Sequence, residues 1–252
     1  MAALFDKRRY IMALWNGFEM KELEFEGHAA IVVFPEKANK ARNFAIKTEY
    51  WGAFPEAEIE LVKSGYHLLY IRNDNRWGTD ADLDRKARFI NWAKEEYSLS
   101  LGVPVGMSCG GIFAVKLAAK YPELFFCVYA DAPVVNFMSC PCGFGKGDAL
   151  SANYLDEILP ALGLSGISEL LAYRDMPLDS IPALIKNKLP LILVAGDSDT
   201  VVPFSENGYF IKKAYEGTDI PFELHIKSGC GHHPHGLDDP SIIVDFIRRY
   251  EK

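Results

Sequence analysis

Five residues, Gly106-Met107-Ser108-Cys109-Gly110, constrain this chain more than any others. An apolar run, Leu101-Gly-Val-Pro-Val105, leads into them, and a helix-like stretch from Gly111 to Lys120 leads away. Strand, G-x-S-x-G and helix in that order are the layout of a nucleophile elbow. The chemistry needs that shape, because a serine hydroxyl is a poor nucleophile until it stands clear of a sheet and faces a base. Flanking glycines let two backbones pack closely around a strained turn. The five-residue pattern alone is common, and the strand before it and the helix after it give it weight.

An elbow requires a sheet, and the chain has the material for one. Its 252 residues, 49% apolar and 24% charged, allow a single domain with a large buried core. Strand-like segments fall at 21–25, 29–34, 66–71, 101–105, 125–130, 189–195 and 221–226. The first two read as a hairpin joined at Glu26-Gly27-His28. Helix-like segments fall at 55–64, 82–97, 111–120, 205–216 and 240–251. Alternation of apolar strands with helices predicts an α/β fold with a mostly parallel, doubly wound sheet and an antiparallel N-terminal hairpin. From Val134 to Lys188 no convincing strand appears, and a loop at 139–147 gives way to short helical pieces. Set between two core strands, 134–188 reads as a small helical cap insertion within a single domain spanning 1–252.

Composition excludes several classes of partner. The net charge is −7 with Lys and Arg scattered, and Lys7-Arg8-Arg9 is too short for a basic patch. Nucleic acid and anionic membrane are therefore not expected. Met1 to Met20 lacks the apolar core and small-residue site of a secretory leader, and no apolar run is long enough to span a bilayer. Five cysteines do not make a disulfide framework. Cys127 reads as core, and Cys140-Pro-Cys142 as a pair of unpaired loop thiols, with metal binding or oxidation as the alternative. A reducing, cytoplasmic setting is the simplest expectation.

A serine elbow needs an imidazole to take its proton and a carboxylate to hold that imidazole in the right tautomer. Both belong on loops at the carboxyl ends of strands. Strand 189–195 is followed by Gly196-Asp197-Ser198-Asp199-Thr200-Val-Val-Pro203, and strand 221–226 by Ser228-Gly-Cys-Gly231-His232-His233-Pro234-His235. The order Ser, Asp, His differs from that of chymotrypsin-like and subtilisin-like enzymes.

With Gly-Met-Ser-Cys-Gly-Gly, Gly-Asp-Ser-Asp-Thr-Val-Val-Pro and Gly-Cys-Gly-His-His-Pro-His, the chain resembles the α/β-hydrolase superfamily from about residue 20 to its end. The nearest flavour is that of bacterial prolyl-oligopeptidase-like and dienelactone-hydrolase-like esterases. The resemblance implies Ser108 as nucleophile, Asp199 as orienting acid and His232 as base. Asp197 and Asp131 are the competing acids; Asp197 fits a turn that needs its backbone donors satisfied. His233 and His235 read as loop or supporting residues. Three histidines in four positions also invite a zinc reading, but no H-E-x-x-H helix accompanies them.

The backbone N–H of Cys109 is the expected first donor of an oxyanion hole. A second should come from an amide between Phe44 and Trp51, in a run, 35–52, that reads as a loop. Tyr50 and Trp51 read as packing residues, with stacking on a ligand ring as the alternative. The loop Arg72-Asn-Asp-Asn-Arg-Trp-Gly78 is polar enough to meet a hydroxyl-rich ligand. The resulting expectation is a serine hydrolase cleaving a small-molecule carboxylic ester, in one form an acylated carbohydrate, without cofactor or metal. The alternatives are a prolyl-oligopeptidase-like peptidase, which would normally bring a propeller domain, and a non-catalytic binding protein on the same fold. Nothing in the sequence fixes an oligomeric state.

Overall fold

A nine-stranded sheet organises the chain, in the order β1-β2-β3-β5-β4-β6-β7-β8-β9. The computed structural model describes residues 10–148 and 152–252; the Lys7-Arg8-Arg9 run and the first half of the leader reading lie outside them. The strands are β1 (Tyr10–Trp15), β2 (Phe18–Phe25), β3 (His28–Val33), β4 (Phe44–Lys47), β5 (His67–Ile71), β6 (Gly102–Met107), β7 (Val128–Asp131), β8 (Leu191–Gly196) and β9 (Phe222–Lys227). The pairs β1–β2, β2–β3 and β3–β5 are antiparallel. All pairs from β5 through β4 to β9 are parallel. This is the α/β-hydrolase arrangement expected from the sequence.

Two strands add to that expectation. The strand β1 pairs with β2 across Asn16-Gly17, whose left-handed backbones (φ 48° and 90°) make a tight hairpin turn. Within the run read as a loop, Phe44-Ala-Ile-Lys47 forms β4, buried between β5 and β6.

Helices cover both faces, and side chains alternate between them along the central strands. On one face α2 (Asp80–Tyr97), α3 (Gly110–Lys120), α6 (Pro177–Lys186) and α7 (Gly208–Tyr215) pack against Ile46, Leu69, Leu191 and Leu193. On the other, α1 (Glu56–Lys63) and α8 (Ser241–Arg249) pack against Ala45, Leu68, Val105 and Ile192. Among the described residues no helix is long and apolar enough to cross a membrane.

The segment 134–188 divides into two parts. Its last helix, α6, buries Ile181 and Leu184 in the same core as Phe113 of α3, and so serves as the crossover between β7 and β8. The remainder includes α4 (Ala152–Ala161) and α5 (Ile167–Ala172). Phe137, Ile158, Leu170 and Met176 from this part pack on Trp77, Cys109, Ile112 and Val202 above the sheet. Cys140 and Cys142 are free and buried in that cluster.

The last residue of β4 carries a buried charge. Lys47 Nζ donates to Glu58 Oε1 at 2.5 Å and to the Ala53 carbonyl at 2.6 Å, with both side chains at most 1% exposed. The pair ties α1 to the loop after β4. Removing one partner strands the other charge in the core. Lys47→Met is therefore expected to lower unfolding free energy in urea by about 3–5 kcal/mol, and Lys47→Met/Glu58→Leu to recover most of it. A single variant as stable as the parent would contradict this role.

Candidate active site

Ser108 follows the last residue of β6 and adopts a left-handed backbone, φ 53°. Three main-chain bonds hold it there. Its N–H donates to the Asp131 carbonyl at 2.9 Å, and its carbonyl accepts from Gly111 and Val134 at 3.0 Å each. A side chain at Gly106 would put Cβ 2.4 Å from the Gly110 carbonyl oxygen, so only glycine lets α3 pass this close to β6.

The loops after β8 and β9 bring the other two side chains to it. His232 Nε2 lies 3.0 Å from Ser108 Oγ, and His232 Nδ1 lies 2.8 Å from Asp199 Oδ2. Asp199 Oδ1 accepts from the amides of Val201 and Val202, both at 2.8 Å. Burial works against ionising Asp199, but the bonds from His232 and from the Val202 and Val201 amides outweigh it and hold the carboxyl below its ordinary range. An ionised carboxylate can only accept, so it takes Nδ1–H and leaves the Nε2 lone pair facing the serine hydroxyl. Asp197 does something else: its Oδ1 accepts from Gly229 N–H at 2.8 Å and tethers the two loops. At Gly196 the loops nearly touch, since a Cβ there would sit 2.3 Å and 2.5 Å from the carbonyl oxygens of Cys230 and Gly231.

A cavity of about 320 Å³ opens beside Ser108, lined by Tyr50, Phe54, Arg76, Trp77, Tyr154 and Val202 among others. The lining draws on the loop after β4, the loop after β5 and the cap helix α4. Arg76 is paired with Glu157 of α4 at 3.1 Å, joining two of these walls. Cys109 is buried beside the serine, and burial pushes its thiol up to about 11, so it stays protonated. Its amide stands at the first turn of α3, where backbone N–H groups lack a carbonyl of a preceding turn. Burial, and after it the neighbouring Cys109, raises the Tyr50 hydroxyl well above the ordinary phenol range. Trp51 instead packs between Trp15 and Tyr70, at ring-centroid distances of 5.5 and 5.3 Å.

Much of the polarity of the 72–78 loop is used internally. Asn73 donates to the Thr48 carbonyl at 2.9 Å, and Asp74 accepts from Arg85 at 2.6 Å and pairs with His28 at 2.8 Å.

A second histidine–carboxylate pair lies beside the first. His235 Nδ1 is 2.8 Å from Asp131 Oδ1, and Asp131 Oδ2 accepts from Tyr129 Oη at 3.0 Å and Gly236 N–H at 2.6 Å. Asp131 is thus engaged by His235 rather than His232. His235 is a buried member of the site, and no local sequence pattern joins it to Asp131, 104 positions away. His233 is exposed and stacks on Phe54, 5.5 Å between ring centroids. Partial burial and the imidazoles of His232 and His235 hold its pKa below the ordinary histidine value.

This fold recurs in known proteins. Residues 75–250 match the prolyl oligopeptidase family, and the chain belongs to that family, serine hydrolases of the α/β-hydrolase fold. No match is found among curated proteins. An S-formylglutathione hydrolase from Agrobacterium tumefaciens superposes with a TM-score of 0.63 at 16% identity, covering 95% of both chains. A Pyrococcus furiosus esterase gives 0.65 at 18% identity over 97% of both. An acylaminoacyl peptidase from Pyrococcus horikoshii gives 0.67 at 15% identity, over 97% of this chain and 41% of that one. At these identities the likeness is one of fold.

The tight approach at Gly196 makes a test. Gly196→Ala should push the histidine loop outward, lowering kcat against an activated ester more than tenfold and stability by about 1–3 kcal/mol. Unchanged kcat and melting temperature would show that the two loops do not need this contact.

Proposed function

We propose that the protein is a serine esterase acting on small carboxylic esters. The observation that carries this reading is the continuous contact from Ser108 Oγ through His232 to Asp199 at the mouth of a small cavity. Ser108 Oγ attacks the ester carbonyl as His232 Nε2 accepts its proton. Asp199, held ionised by the Val201 and Val202 amides, stabilises the imidazolium and fixes its tautomer. The negative oxygen of the tetrahedral intermediate takes hydrogen bonds from the Cys109 amide and from Tyr50. Collapse breaks the bond to the alcohol, which leaves with the proton from His232. Water, deprotonated by the same imidazole, then releases the acid from the acyl-serine.

The dimensions favour an ester over a peptide. A cavity of about 320 Å³ holds an acyl group of modest size, whereas several residues of extended peptide need a longer groove. Tyr50, Phe54, Trp77 and Val202 give it a largely apolar wall suited to an uncharged acyl group. An acylated carbohydrate remains the form of the substrate that the 72–78 loop suggests, with Arg76 the polar residue of that loop at the cavity.

Hydrolysis of p-nitrophenyl acetate and butyrate, set against a p-nitroanilide, tests the assignment. Ser108→Ala and His232→Ala should each lower kcat by at least about 10³-fold with folding intact, while His233→Ala stays within about tenfold. Wild-type turnover by the Ser108 variant, or a p-nitroanilide preferred to both esters, would overturn it.

Tyr50 is the second oxyanion donor in this reading, through a hydroxyl whose raised pKa keeps it protonated. Tyr50→Phe should lower kcat by about 10–10²-fold with little change in KM. A kcat within twofold of the parent would return the role to a backbone amide of the same loop.

A further inference from the structure

Three imidazoles crowd together where the proposed mechanism uses one. The rings of His232, His233 and His235 lie with centroids 4.8, 5.0 and 5.0 Å apart. Each offers one ring nitrogen, and these nitrogens all lie within 4.8 Å of one another. Two of the three have a carboxylate behind them. Asp199 sits on His232 Nδ1 and Asp131 on His235 Nδ1, both at 2.8 Å. A carboxylate on Nδ1 fixes the tautomer that leaves Nε2 as a lone pair, which is the arrangement that backs metal-bound histidines. Both carboxylates are themselves anchored, Asp199 by the Val201 and Val202 amides and Asp131 by Tyr129 Oη and Gly236 N–H. A proton relay to Ser108 requires one such pair; the second, buried and with both Asp131 oxygens engaged, contributes nothing to that relay.

We propose that His232, His233 and His235 form a binding site for a divalent transition metal of the zinc type, and that its occupation switches off the serine centre. Imidazole nitrogens suit such ions, at about 2.0–2.1 Å from the metal. Tetrahedral bonds of that length put ligand nitrogens roughly 3.3 Å apart, so the cluster must close by about 1.5 Å at most. His233, the exposed ring of the three, stacks on Phe54 and contacts His232 and His235, and it is the ligand that would swing in. Three protein ligands leave a fourth position for water. The metal and the serine proton would compete for the same lone pair on His232 Nε2, so the bound form has no base for Ser108. This last consequence rests on the esterase reading; binding of the metal does not.

The test is calorimetric titration of the whole protein, stripped with EDTA, with zinc chloride. The parent and Ser108→Ala should bind about one ion per chain with matching affinity, and His233→Gln should bind at least tenfold more weakly at an unchanged melting temperature. Cobalt(II) should give the visible bands of tetrahedral coordination in the parent and lose them in His233→Gln. Zinc should inhibit ester hydrolysis by the parent over the concentration range in which it binds. Equal zinc affinity in the parent and His233→Gln, or no binding below ~1 mM, would overturn the site. Zinc binding in a protein that hydrolyses no ester would retire the esterase reading and leave the metal site standing; hydrolysis without zinc binding would do the reverse.

Discussion

Everything at the site depends on one backbone residue held where a serine does not rest by choice. A non-glycine residue in the left-handed region costs about 1–3 kcal/mol and persists when its surroundings determine it. At Ser108 they do: the amide extends the β6–β7 ladder to Asp131, and the carbonyl is taken by Gly111 and Val134. Gly106 removes the side chain that would keep α3 from closing behind the turn. The strain is carried by the sheet and the helix together, and its result is a hydroxyl aimed away from both.

The parallel sheet supplies what the hydroxyl needs. Because β6, β8 and β9 run the same way, their carboxyl ends present Ser108, Asp199 and His232 along one edge. The adjacent β7 ends at Asp131, one strand closer to the serine than Asp199 is. Two strand ends thus offer an aspartate, and the histidine loop has a partner for each. His232 goes to the outer one and His235 to the inner. Aligned strands and the one loop between β9 and α8 are enough to build both pairs.

Much of this was legible in the sequence, for physical reasons. Strands such as Leu-Ile-Leu-Val-Ala-Gly are continuous apolar runs because they are buried on both faces. Ser108 and Asp199 could be picked out because each follows such a run in a glycine-bearing loop, and His232 because a glycine-bearing loop follows the alternating edge strand Phe-Glu-Leu-His-Ile. The strand β4 was hidden because it is four residues long and ends in Lys47, whose charge is neutralised by Glu58 only in three dimensions. The strand β1 was missed although Asn16-Gly17 marks its turn, because an edge strand leaves Ile11 and Leu14 exposed and shows no one-sided pattern. Reading 134–188 as one cap overlooked that α6 returns to the core, since an amphipathic helix looks the same over a site as against a sheet. The His235–Asp131 pair joins residues 104 positions apart, and nothing local announces it.

The central claim is that Ser108, and no neighbouring group, is the nucleophile that His232 and Asp199 make reactive. Reaction with a fluorophosphonate, followed by intact-mass and peptide mapping, addresses that claim most directly. The expected result is one adduct per chain, on Ser108, formed by the parent and absent from a His232→Ala protein. No adduct, or an adduct carried by Cys109 or Tyr50, would contradict it.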